Sequence, residues 1–173
     1  LTGLFLNPEP GNPSHIDNCD GRQALWLFAG PEVGLFQELG GGPVPSTPAT
    51  VYEVGNSYRL AVAVIGGGGN MLEGVTLELA FYYRDDASNQ VTVAATTITN
   101  TPAIFSNLQH FIDFEVKVPT VEAGDAWAGR PIGLRFLSTV DIARQGGYWD
   151  LDQVRLWSSA PPAFADVEAI DGE

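Results

Sequence analysis

Apolar and polar residues alternate with period two along most of the chain, the spacing of half-buried strands. In Ser57–Ile65, Tyr58, Leu60, Val62 and Val64 share one face, with Arg59, Ala61 and Ala63 on the other. Gly74–Tyr83 sets Val75, Leu77, Leu79, Phe81 and Tyr83 against Thr76, Glu78, Ala80 and Tyr82. His110–Val118 points Ile112, Phe114, Val116 and Val118 inward, and Pro131–Leu137 buries Ile132, Leu134 and Phe136. Gln23–Ala29 is a short continuous apolar run, the pattern of a strand buried on both faces. Val33–Leu39 and the β-branched Val91–Ile98 add two more strands. Tyr148–Trp157 closes the series, and strict alternation there puts Asp150, Asp152, Val154 and Leu156 on one face. No window keeps a helical period. About eight strands separated by turn signals predict an all-β fold, an antiparallel jelly-roll β-sandwich.

The interruptions are Pro- and Gly-rich. Residues 1–19 read as loop after a brief apolar start at Leu4–Leu6, and Gly40–Pro48 excludes both helix and central strand. Gly66–Asn70 reads as a flexible connection; no Gly-Lys-Ser/Thr follows, so it is not a phosphate loop. The expected organisation is one domain over residues 1–159, then an acidic, Pro-led tail over residues 160–173 that serves as a linker or docks as an extra edge strand.

Composition narrows the function. Eight Lys and Arg against 21 Asp and Glu give a net charge of −13 over 173 residues. Such a balance argues against nucleic acid, whose phosphates need a basic surface, and against adhesion to anionic membranes. It permits Ca²⁺, which prefers carboxylate oxygens. No apolar run of about 20 residues is present, so no membrane-inserted helix is expected. Leu1-Thr2-Gly3 opens without Met or a signal-peptide pattern, as expected of a mature or excised piece of a secreted protein. Cys19 is the single cysteine, so no intrachain disulfide forms, and its acidic neighbours Asp17 and Asp20 make it a poor nucleophile. His15 and His110 show no triad or metal spacing.

Several segments in order carry a family pattern: Asp20-Gly21 before an apolar strand; Gly34-Leu35-Phe36-Gln37-Glu38-Leu39; Tyr52 through Val62; Val75-Thr76-Leu77-Glu78-Leu79; and Tyr148-Trp149-Asp150-Leu151-Asp152-Gln153-Val154-Arg155-Leu156. Over roughly residues 3–157 the chain resembles the galactose-binding-like jelly rolls, the carbohydrate-binding-module-type sandwiches of secreted bacterial proteins. It also resembles the calcium-dependent cyclases of hapalindole-type alkaloid pathways. Members of this group begin with a strand of Asn-Gly-x-Phe-Glu type. Here Leu6 stands where the Glu would be, so the first strand is degenerate or missing, and a missing strand would leave a sheet edge open. Their C-terminal Pro-Glu-Pro signal is absent as well; Pro8-Glu9-Pro10 lies at the opposite end.

The resemblance implies a non-catalytic extracellular or cell-surface module, stabilised by Ca²⁺, whose partner is a polysaccharide or glycan surface or copies of itself. Two alternatives stand beside it. One is a filament subunit completed by strand exchange between protomers. The other is a cyclase-like enzyme with Asp150 or Asp152 as general acid. For the metal, the resemblance offers Asp150 and Asp152, with Glu9, Asp17, Asp20 and backbone carbonyls available to complete the shell; a hydrogen-bonding role for the pair stays open. For a glycan, Tyr82 and Trp127 are the candidates, because sugar C–H faces stack on aromatic rings. Tyr82 lies opposite the apolar face of its strand, and Trp127 sits in a Gly-flanked loop.

Overall fold

The computed structural model describes residues 1–40 and 49–160. The tail over 161–173 and most of the Gly-Pro tract, residues 41–48, lie outside the described residues. Nine strands form: β1 (Thr2–Leu6), β2 (Gln23–Phe28), β3 (Gly34–Glu38), β4 (Ser57–Gly68), β5 (Thr76–Arg84), β6 (Gln90–Thr99), β7 (Ile112–Val118), β8 (Gly133–Ser138) and β9 (Tyr148–Ser159). They build a five-stranded sheet, β1-β2-β9-β4-β7, and a four-stranded sheet, β3-β8-β5-β6. Among the described residues, every strand pairing within the two sheets is antiparallel. The fold is the antiparallel jelly-roll β-sandwich that the alternation predicts.

The core follows the pattern of the sequence. Leu60, Val62 and Val64 of β4 and Trp149 and Leu151 of β9 face Leu77, Leu79 and Phe81 of β5, all in one buried cluster. Each such side chain contributes about 1.5–3 kcal/mol on burial. Ala61, Ala63 and Ile65, on the other side of β4, are buried too. A second apolar cluster explains this: Ile16, Ala24, Ala63, Ile65 and Phe111, with Phe5 and Cys19 packed against it. The segment between β1 and β2 therefore roofs one half of the outer face of the five-stranded sheet.

Hydrogen bonds pin that roof. The Asn7 side chain donates to the Ile16 carbonyl and accepts from the Ile16 N–H, both at 2.9 Å. The Asn18 side chain does the same for Phe111, accepting at 2.8 Å and donating at 3.0 Å. The residues read from sequence as an irregular loop thus hold a third layer in place, closing backbone groups that burial would otherwise leave unpaired.

Three expectations change. Leu4–Leu6 does not merely precede a loop; Thr2–Leu6 pairs in register with β2 as the edge strand. Its Leu4 and Leu6 are 67% and 66% exposed. The Gly66–Gly68 stretch belongs to β4 rather than to a free connection. Strict alternation in β9 fails at Gln153, whose φ is 48°. There Ala61 pairs with Arg155 but Ala63 with Asp152, so two steps on β4 span three on β9, a β-bulge. The extra residue reverses the sidedness beyond it. Leu156 packs against the core while Asp150 and Asp152 turn to the outer face, where alternation alone had put all of them together.

Candidate functional site

The outer face near the start of β9 holds a cavity of about 810 Å³ between the sheet and its roof. Cross-strand register sets its floor. Trp26 of β2 pairs with Asp150 on one side, and Ile65 of β4 pairs with Asp150 on the other. One row away, Tyr148 pairs with Gly68. Trp26, Tyr148 and Asp150 all line the cavity, with Leu108 and Gln109 from the segment before β7 and Pro13 from the roof. Two glycines make room for the rings. A Cβ on Gly3 would come within 2.6 Å of Trp26 Nε1, and a Cβ on Gly68 would strike the Tyr148 ring.

Asp150 is the one carboxyl among the lining residues. Its Oδ1 is buried and has no hydrogen-bond partner. Burial pushes its pKa up from 3.8 to about 7, because a charge in apolar surroundings loses its hydration. Near neutral pH this group holds a proton much of the time and can donate it.

Asp152, two residues on and on the same face, is spent differently. Its Oδ2 accepts the Asp20 N–H at 2.7 Å and its Oδ1 the Gln153 N–H at 2.8 Å. Gln153 Nε2 donates to the Asn18 carbonyl at 2.7 Å. Asp152 thus ties the end of the roof to the bulge in β9. Burial pushes the neighbouring Cys19 thiol up to about 11, helped by a hydrogen bond to Asp152 and the charges of Asp152 and Asp20. That agrees with the expectation of an inert thiol.

The two acids do not combine into a cation site. Ca²⁺ takes 6–8 oxygens, several from carboxylates. Both Asp152 oxygens already accept backbone N–H groups, and among the described residues no three His, Cys, Asp or Glu side chains gather to hold an ion. The orphaned Asp150 oxygen faces an aromatic-walled cavity instead. The donor set does not fit the structural calcium expected at Asp150 and Asp152.

The glycan candidates Tyr82 and Trp127 lie outside this cavity. Tyr82 does lie on the outer side of β5, but it is fully buried. It pairs with Gly133, whose missing side chain leaves a slot for the ring, and its hydroxyl donates to Glu38 Oε1 at 3.3 Å. Trp127 is half-buried against the main core, with its Nε1 enclosed. Tyr82 offers no free ring face for stacking on a sugar. Trp26 and Tyr148, which line the cavity, come from β2 and β9. The signal for Trp26 was the run Gln23–Ala29, apolar on both faces, which shows that something covers the outer side of that strand as well as the inner.

Two antiparallel sheets in this order, with a cavity on one outer face, define a jelly-roll β-sandwich. No protein-family model and no curated protein sequence matches the chain. Solved structures do. An apo-form cyclase from Fischerella sp. is similar with a TM-score of 0.64 and 18% identity, over 92% of this chain and 73% of its own. A Stig cyclase from Fischerella sp. TAU, in complex with a pyrrolidinylidene-indole, gives 0.62 and 18% identity over 92% and 75%. The CBM22-1 xylan-binding domain from Paenibacillus barcinonensis gives 0.51 and 13% identity over 92% and 83%. At these identities the likeness is one of fold.

Proposed function

We propose that the chain is a ligand-binding β-sandwich module that takes a neutral saccharide into the cavity beneath the roof, in an extracellular or cell-surface setting. The aromatic-walled cavity with one unpaired carboxyl at its floor carries this reading. Its volume lies in the range of small-ligand sites. Trp26 and Tyr148 supply ring surface for sugar C–H groups, and protonated Asp150 donates a hydrogen bond to a hydroxyl or ring oxygen. The fold shared with a xylan-binding domain supports it. No helix among the described residues is long and apolar enough to cross a membrane.

Isothermal titration with neutral oligosaccharides, xylo-oligosaccharides first, tests the proposal. Binding should weaken at least about tenfold in Trp26→Ala and in Tyr148→Ala, since stacked rings carry much of such affinity. An absence of heat with every neutral oligosaccharide would contradict it.

The pKa of Asp150 favours a second reading, that of an enzyme. A general acid works best with a pKa near the operating pH. In this reading the Asp150 O–H bond breaks as its proton passes to a basic or unsaturated atom of an apolar substrate, and the carboxylate takes a proton back from water or product. Asp152 is the weaker candidate for the acid because both its oxygens hold the roof. Turnover that falls at least about a hundredfold in Asp150→Asn while ligand affinity holds would favour this reading over simple binding.

A further inference from the structure

The same outer face carries a different surface at its other end, about 20 Å along β9 from Asp150. One row of directly opposed residues crosses three strands there: Lys117 of β7, Arg59 of β4 and Trp157 of β9. The Arg59 guanidinium lies 4.1 Å from the centre of the Trp157 ring, and Arg155 approaches the same ring at 5.9 Å. Trp157 remains 40% exposed. A cavity of about 740 Å³ opens here, bordered by Arg59, Lys117, Trp157, Pro119 and the serines at the ends of β4 and β9. Among the described residues, no roof covers this half.

Charge makes the location unusual. The chain has eight Lys and Arg against 21 Asp and Glu, yet Arg59 and Lys117 both border this one cavity, while the nearby Arg155 is paired with Asp113. Arg59 and Lys117 share a single carboxylate: Arg59 Nη1 reaches Glu115 Oε1 at 3.3 Å, and Lys117 Nζ reaches Glu115 Oε2 at 3.1 Å. One negative charge between two positive ones leaves a net positive charge facing the cavity, with further N–H donors on each cation. Stacking on the indole holds the Arg59 fork in place, so less freedom is lost when it binds an anion.

We infer that this end of the sheet is a second ligand site, for a saccharide bearing a carboxylate, as in a uronate. The carboxylate sits between Arg59 and Lys117, the exposed part of the Trp157 ring and Pro119 receive the sugar's C–H face, and Ser57 and Ser158 meet its hydroxyls. At about 0.15 M salt the screening length is about 8 Å, so the distant acidic residues do not repel the ligand while the two cations still attract it.

The experiment is an NMR titration of the whole chain at 0.15 M salt with trigalacturonate, its methyl ester and inorganic phosphate. Trigalacturonate should shift the signals of Ser57, Lys117, Ser158 and the Trp157 indole, and the ester should bind at least about fivefold more weakly. Arg59→Met and Lys117→Met should each weaken trigalacturonate about three- to fivefold, as loss of an exposed ion pair implies, without moving the thermal midpoint. Trp157→Ala should weaken trigalacturonate and its ester alike. Equal binding of acid and ester, shifts elsewhere on the protein, or phosphate binding as well as the sugar would each overturn the inference. Failure to bind neutral sugars in the Asp150 cavity would leave it untouched.

Discussion

The two ends of the outer face of the five-stranded sheet differ in what covers them, and that difference sets their chemistry. Strand β9 supplies both. At its start, the roof between β1 and β2 encloses Asp150 and leaves an oxygen without a partner, and the carboxyl rises to about 7. Toward its end, Glu115 of β7, two strands away across β4, is exposed to water. A hydrogen bond and charge from Lys117, aided by Arg59 and Arg155, hold that carboxyl below the usual range. Residue type is nearly constant across the comparison. Burial makes one acid a proton donor near neutral pH; solvent and cations keep the other ionised.

The largest expected effect removes the buried charge. The native state keeps the Asp150 proton that the unfolded chain gives up between about pH 4 and 7. With the folded pKa raised, the unfolded state binds fewer protons in that window, so stability falls as pH rises through it. A change from 3.8 to about 7 corresponds to a ceiling on the order of 4 kcal/mol. In urea denaturation, Asp150→Asn should therefore be more stable than the parent at pH 8 by up to about 4 kcal/mol, and no more stable at pH 3. Equal gains at both pH values would break the comparison.

Loosening the roof comes next. Asp152→Ala removes the acceptor of two backbone N–H groups, the Asp20 and Gln153 amides. It should cost about 2–3 kcal/mol and bring the Asp150 pKa down as water enters. Gly3→Ala should then cost about 1 kcal/mol, because the new methyl meets the Trp26 indole and must push the ring aside. Its affinity for a saccharide in the cavity should fall with it, read by titration. At the open end, Lys117→Met should leave the thermal midpoint unchanged. The smallest effect is that of a chelator: since among the described residues Asp150 and Asp152 gather no third acidic ligand, EDTA should move the midpoint by no more than about 1 °C.

The sequence made the sandwich legible because alternation survives wherever one strand face is core and the other is wet, as in β5 and β7. It hid the site for reasons that are physical. Thr2–Leu6 is too short, and too close to prolines, to show a period. The glycines of β4 look like a loop, but Gly66 makes room for Trp149 and Phe105 and Gly68 for the Tyr148 ring. The bulge at Gln153 is one extra residue with a left-handed φ, and alternation cannot register it, so Asp150 and Leu156 were read on one face. Tyr82 was read on its correct outer side, but nothing local shows that the ring lies down over Gly133. Asp150 and Asp152 were both singled out, yet their separation into an unpaired acid and an anchor depends on a roof more than 100 residues away in sequence.

The account turns on the protonation of one carboxyl, and that is directly measurable. The ¹³Cγ shift of Asp150, followed from pH 3 to pH 9, should titrate with a midpoint near 7 and move toward an ordinary value in Asp152→Ala. A midpoint near 4 in the parent protein would mean that the carboxyl is hydrated or paired, and would contradict the proposed site.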